Sequence, residues 1–449
     1  MRLVRVWLFV AILFGALPGR APAAPASEVP STAPALDATT RKAAIEGIIR
    51  EARSAYFSRR DGYRELEVAL RQKLARAGYD SCTTPEAFSQ QLETDLDEWT
   101  GDRHFGVSFD PAFAPHTLSD GFSAEEQAQM RDRGRSENYG VAEARILPGN
   151  VGYLLLSGFS APPLMTPKIS AAMQLLSDAD ALIVDVRTNP GGFEASAYVL
   201  CTYLFPEWRA IVHLNSAYDD RRGPDPVQFW TLPSVPGPRF VDKPVYVLTN
   251  RQTGSAAEAF GYALQAQKRA TIVGDTTGGS AHPSDVVIAY PGYVLQMPVG
   301  RNVNPVTKTD WEGVGVVPDV KVDPGKALEK AQVLALEHVL GHEKSDAVRA
   351  NLQWTLDGLR STAEPRVIEV ALLERLVGTY GPRKITLEED GLHYQRENGT
   401  RRKLVPLDDH TFALEGAPYF RVRFVEEGGK VTALQGFYQD GRIDRSPRN

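Results

Sequence analysis

The 449-residue sequence predicts an α/β protein: a core with a mainly parallel, helix-covered sheet, a helical bundle before it and a small antiparallel β module after it. Three observations lead there. Between Gly140 and Asp319 apolar runs of strand length alternate with helical patterns. One run, Ala181 to Val186 (ALIVDV), is continuous in the manner of a strand buried on both faces. From Pro365 onward apolar and polar residues alternate, broken by Asp-Gly and Gly-Gly turns.

The elements follow in order. Arg2 and Arg5, the apolar run Val6 to Leu17 and the small residues Ala21 to Ala26 have the layout of a secretory signal peptide over 1–26. A Pro/Ala/Ser linker covers 27–37. A helical domain is expected over 38–115: Thr39-Thr40 would cap a helix with Ile45, Ile48 and Ile49 on its apolar face. Leu66, Leu70 and Leu74 mark a second helix. Phe88, Leu92 and Leu96 mark a third, started by Thr84-Pro85-Glu86. Residues 104 to 115 read as extended, and the charged stretch Ser123 to Glu137 as a loop.

The core domain is placed at 138–324. Its strands are Val151 to Leu156, Ala181 to Val186, Val245 to Thr249 and Ala270 to Val273; its helices are Pro167 to Asp178, Ser196 to Phe205 and Ala256 to Gln267. A helical connector follows over 325–363, and the β module occupies 365–449. The formal charge of −6 and the lack of a basic stripe exclude nucleic acid as a partner. Cys82 and Cys201 are the two cysteines; Cys201 lies in an apolar stretch and reads as a buried thiol.

Chemistry points to Ser255. In VYVLTNRQTGSAAEAF it stands where a buried strand turns sharply into a helix, so its hydroxyl is held out beside the first free N–H groups of that helix. Such a serine is a mere helix cap unless a general base stands near. DVRTNPGG (Asp185 to Gly192) supplies a glycine turn at the end of the ALIVDV strand. Asp185 and Arg187 there read as a pair that shapes the loop, and Glu258, one turn beyond Ser255, as a support for it.

With LTNRQTGSAAEAF, GDTTGGSAHP, WEGVGVVPDV and the strand NVGYLLLSGF, these segments resemble the carboxyl-terminal processing, or tail-specific, serine peptidases. The helical front with GDRHFGV is similar to the branch of interphotoreceptor retinoid-binding protein and the tricorn protease core. The resemblance implies a twisted-sheet peptidase core with Ser255 as nucleophile. It also implies an oxyanion hole from the N–H of Ala256 and of Gly191 or Gly192. Two departures stand out. Ser280 occupies the place of the usual lysine base, and the gap from Val107 to Tyr139 leaves no room for a PDZ domain.

The base would then be His104, with Glu312 as its carboxylate, as in tricorn-like members, although Arg103 replaces the serine found there. His282, two residues past Ser280, is the alternative base, and Asp102 is placed to orient His104 locally. The function expected is an exported, periplasmic or secreted, serine endopeptidase. It would act on peptides or unfolded proteins without metal or organic cofactor, and it would have no membrane span once the signal is cleaved. The alternative is a non-catalytic carrier of lipid, retinoid-like or hydrophobic peptide ligands on the same scaffold.

Overall fold

The computed structural model describes residues 36–57, 62–102, 104–111, 113, 124–207, 211–219, 225–363 and 366–449. The expected signal peptide, nearly all of the linker, and Arg103 lie outside these. Along the chain the elements run α1 (Ala38–Ala55), α2 (Gly62–Ala75), α3 (Pro85–Thr100), β1 (Gly106–Phe109), α4 (Ala124–Ser136), β2 (Val141–Leu147), β3 (Val151–Leu156), α5 (Pro162–Leu176), β4 (Ala181–Asp185) and α6 (Glu194–Tyr203). They continue with β5 (His213–Tyr218), β6 (Val227–Trp230), β7 (Val245–Thr249), α7 (Ala256–Ala266), β8 (Thr271–Gly274), β9 (Ser284–Tyr290), β10 (Tyr293–Pro298), β11 (Arg301–Val303) and β12 (Val320–Lys321). The last stretch holds α8 (Ala327–His342), α9 (Asp346–Ala363), α10 (Val370–Leu376) and β13 (Gly378–Tyr380) to β20 (Ile443–Pro447).

Two compact units result. One takes in the chain through Arg145 with Tyr153–Asp178 and Val184–Pro324; the other takes Ile146–Gly152, Ala179–Ile183 and Gly325–Asn449. A six-stranded sheet has the order β12-β8-β7-β4-β3-β2, with β7–β8 and β8–β12 parallel. Every residue of β4 and β7 is buried, which accounts for their unbroken apolar runs. The N–H of Val186 donates to Leu248 O at 3.1 Å, so the carboxyl ends of β4 and β7 lie together. The loops that leave these two ends carry the glycine pair and Ser255, where sheets of this kind hold ligands.

A second, antiparallel sheet of order β1-β10-β9 belongs to the same unit. Gly106 of β1 and Val286 of β9 both face Gln296 of β10, so β1 and β9 run in the same direction. The residues just ahead of each strand, Asp102 and His104 before β1 and Ser280–Pro283 before β9, therefore emerge at one end of the sheet. The helices expected to form a domain of their own share a core with it. Ile45, Ile48, Leu66, Phe88 and Leu92 pack in one cluster with Val107, Leu295 and Met297. Gly47 lets α1 approach closely, since a Cβ there would fall 2.0 Å from the carbonyl oxygen of Ala289.

Several local readings change. The cap of α1 is Asp37, whose carboxylate accepts the Thr40 N–H at 2.7 Å. Thr84 and Pro85 open α3 as expected. Residues 124–136 form a helix instead of a loop: Ala, Glu, Gln, Met and Arg are strong helix formers even without an apolar stripe. Helix α5 starts at Pro162, with Pro167 inside it, because a proline at the first helical position needs no N–H partner. Both cysteines are buried free thiols.

In the other unit α8 and α9 occupy the expected connector, and α10 adds a helix the alternation pattern did not show. The eight strands β13–β20 follow one another in order around an antiparallel sheet, and Tyr380 bridges to Arg448, joining the last strand to the first. Its core gathers Tyr380, Tyr394, Phe412, Phe420 and Phe424. Buried Arg383 is neutralised by both oxygens of Asp444, each at 2.5 Å.

The Gly47 contact yields a test of the shared core. Gly47→Ala is expected to lower stability by about 1–3 kcal/mol, as overpacking does. The readout is a reduced midpoint of urea unfolding at unchanged slope.

Candidate active site

Strand β7 ends at Thr249, and the turn after it is pinned from several sides. The Thr253 hydroxyl donates to Val186 O at 2.9 Å and accepts the Asn250 N–H at 3.1 Å; the Gly254 N–H donates to Asn189 O at 3.1 Å. Ser255 follows as the residue that caps α7, at φ 47° and ψ −117°. A non-glycine residue at that positive φ is costly and persists only where its surroundings enforce it.

Glu258 does the enforcing. Its buried carboxylate accepts the Ser255 N–H at 2.8 Å, the Thr277 hydroxyl at 2.5 Å, and the N–H groups of Gly279 and Ser280 at 2.6 and 2.9 Å. Burial raises its pKa, against the pull of those four donors. Glu258 thus ties the serine turn to the 277–280 loop.

The glycine pair lies against the serine. A Cβ on Gly191 would sit 2.8 Å from Ser255 Cβ and 3.1 Å from the Ala256 nitrogen; one on Gly192 would sit 2.2 Å from Phe159 O. Both have φ near +120°, a conformation that favours glycine. The Gly191 N–H is taken by Asn189 Oδ1 at 2.9 Å. Among the described residues no partner takes the N–H of Gly192 or of Ala256. These two are the donors left for an oxyanion.

The imidazoles come from the sheet β1-β10-β9. Helix α3 ends at left-handed Gly101, and the chain turns at once into Asp102 and His104. Asp102 Oδ1 accepts the His104 N–H at 2.9 Å and lies 3.2 Å from its Nδ1; Oδ2 lies 2.6 Å from Nδ1 of His282. One buried carboxylate therefore holds both rings, whose centroids are 6.5 Å apart. Glu312 stands on the His282 side. Its Oε2 accepts the N–H of Ala281 at 2.5 Å and of His282 at 3.1 Å, and lies 3.8 Å from His282 Nδ1. The carboxylate at the His104 ring is Asp102, whereas Glu312 neighbours the second histidine.

Burial works to raise Asp102, but the hydrogen bonds from His104 and His282 outweigh it and hold the carboxyl below its ordinary value. For His282 burial works downward, and the Asp102 bond with the charges of Glu312 and Asp102 carries the ring above its usual value. Burial, then the Asp102 charge, raise Glu312. His282 Nδ1 and oxygens of Asp102 and Glu312 lie within 4.8 Å of one another, close enough to share a cation. Hydrogen bonds already account for that arrangement.

Ser255, His104, His282, Gly192, Glu194 and Asn302 line one cleft. The arrangement is a hydroxyl at a strained turn, two oriented imidazoles and two unspent backbone donors, which is the equipment of acyl transfer. Asp185 and Arg187 pair, at 3.0 and 2.6 Å, as their place at the strand end suggested. Glu194 and Asn302 were not singled out from the sequence. An acid in the first turn of a helix is ordinary, and nothing in RNV marks Asn302 as facing a cleft.

Residues 150–322 match the peptidase family S41. The carboxyl-terminal-processing protease of Synechocystis is 31% identical over 179 residues, 39% of this chain and 39% of that protein. Carboxyl-terminal-processing peptidase 1 of Arabidopsis thaliana, chloroplastic, is 28% identical over 174 residues, 38% of this chain and 33% of that one. The chain thus spans well under half the length of these relatives. The solved photosystem II D1 C-terminal processing protease aligns with a TM-score of 0.40 at 18% identity, over 65% of this chain and 94% of that one. Residues 150–322 are thus similar to peptidase family S41, and a segment of comparable length is similar to the carboxyl-terminal-processing proteases.

Proposed function

We propose that this chain is an exported serine endopeptidase whose acyl-enzyme forms on Ser255. The observation that carries the reading is Ser255 at positive φ, sharing a cleft with an imidazole whose Nδ1 is held by buried Asp102. His104 Nε2 takes the hydroxyl proton as Oγ attacks a peptide carbonyl. The N–H groups of Ala256 and Gly192 hold the oxyanion. The proton passes to the leaving amine, and water then attacks the ester by the reverse sequence. Asp102 keeps the His104 tautomer and its charge balances the imidazolium as it forms. His282, itself seated by Glu312, fixes the other oxygen of Asp102.

A peptide or an unfolded protein is the substrate class that the family supports. The basic, apolar and small-residue order of the first 26 residues supports export to the periplasm or beyond. No described helix is long and apolar enough to cross a membrane. The serine, histidine and carboxylate side chains that meet in the cleft support hydrolysis over carriage of an apolar ligand.

A fluorophosphonate probe is expected to label wild-type protein once per chain and to leave Ser255→Ala unlabelled; wild-type protein that stays unlabelled refutes the assignment. Gly191→Ala, with the nucleophile intact, should label about 10²-fold more slowly, because its new Cβ displaces the serine and the adjacent oxyanion donor. His104→Ala should lose about 10²–10⁴-fold in kcat/KM on an unstructured peptide, a larger loss than His282→Ala. The reverse order would make His282 the base.

The Asp102–His282 pair sets a pH signature. The depressed Asp102 value contributes stability above its unfolded pKa of about 3.9, lost as pH falls through the folded value. The raised His282 value contributes below about 6.5, lost as pH rises through the folded value. The stability gap between wild type and Asp102→Asn is therefore expected to peak between about pH 4 and 6.5 and to narrow above it. Thermal unfolding across that range measures it.

A further inference from the structure

Beneath the cleft lies a group of polar atoms that the proposed hydrolysis leaves unused. Glu194, the first residue of α6, is buried. Its carboxylate accepts one hydrogen bond, from Asn302 Nδ2 at 3.1 Å. Asn302 is itself locked: the same amide nitrogen donates to Ala281 O at 2.8 Å, and its oxygen accepts from Asn215 Nδ2 at 2.8 Å. The other carboxylate oxygen of Glu194 is fully buried with no partner among the described residues. The hydroxyl of Tyr198, one turn further along α6, is also buried and interacts with the side chain of Asn215.

Unspent buried acceptors of this kind are costly and call for a donor that arrives from outside. Among the described residues no lysine or arginine pairs with Glu194, and the charged group that acts on it is His104. Burial pushes its carboxyl up to about 7, the condition of an acid that lacks its counter-charge. Position adds to this. Glu194 lines the same cleft as Ser255 and as Gly192, two residues earlier, whose N–H is a candidate oxyanion donor.

We propose that Glu194 forms the floor of the subsite for the residue immediately before the cleaved bond, and that it selects lysine or arginine there. The proposal rests on the peptidase reading. An ammonium or guanidinium would donate to the free carboxylate oxygen and would supply the missing charge. A neutral apolar side chain would leave that oxygen unpaired, a mismatch that peptidase subsites punish strongly.

Mapping by mass spectrometry of the cuts made in a denatured protein by the full-length enzyme tests this. Wild type is expected to cut after lysine or arginine at least tenfold more often than after leucine. Glu194→Gln should lose that enrichment, and Glu194→Asp, which keeps the charge, should retain part of it. Thermal melting confirms that each variant is folded, and the wild-type pattern is informative without any variant. Cuts after apolar or small residues, or enrichment that survives Glu194→Gln, overturn the role of Glu194 and leave the peptidase reading intact. Absence of both cuts and fluorophosphonate labelling in wild type overturns both.

Discussion

A single buried carboxylate, Asp102, joins parts of the chain 180 residues apart. It takes a ring nitrogen from His104 on one oxygen and from His282 on the other. A charge buried this deeply is tolerable only when its lone pairs are filled, so the two rings and the carboxylate require one another. Everything that brings them together follows from that need. The helices pack on the sheet β1-β10-β9, and the sheet delivers Asp102, His104 and His282 at the same end. Glu312 then fixes the backbone of the second histidine.

Glu258 does the same service for Ser255. Four donors converge on one carboxylate, and they come from the serine turn and from the 277–280 loop. The positive-φ conformation of Ser255 is thus held by a hydrogen-bond network and not by its own preference. The same loop leads two residues later to His282, so the turn and the imidazole pair are coupled through a short rigid connection.

Much of this was legible in the sequence, and the reasons differ by element. The strands β4 and β7 announced themselves because parallel strands covered on both faces must be apolar throughout. Ser255 was legible because a strand, a small-residue turn and a helix met within a few residues. The bridging role of Asp102 was not, because a contact over 180 residues leaves no local periodicity. Helix α4 was missed for want of an apolar face, and Glu194 because its surroundings are assembled from α6, β5 and β11. The helical front was read as a separate domain since its own apolar stripes look sufficient; that they also cover β9 and β10 depends on tertiary packing alone.

The close seat of α1 on β9, allowed by Gly47, has a consequence for how the chain becomes competent. The serine, its glycine neighbours and Glu258 all belong to the stretch from Asn189 to Ser280, while one imidazole and the shared carboxylate arrive from the segment that leads out of the helices. During synthesis the front of the molecule emerges first, yet it has no finished core until residues beyond 284 follow. The surroundings of Ser255 and of the two imidazoles are thus drawn from both the front and the middle of the chain. A chain stopped before residue 282 would hold Ser255 and Asp102 without the second ring that Asp102 bridges to.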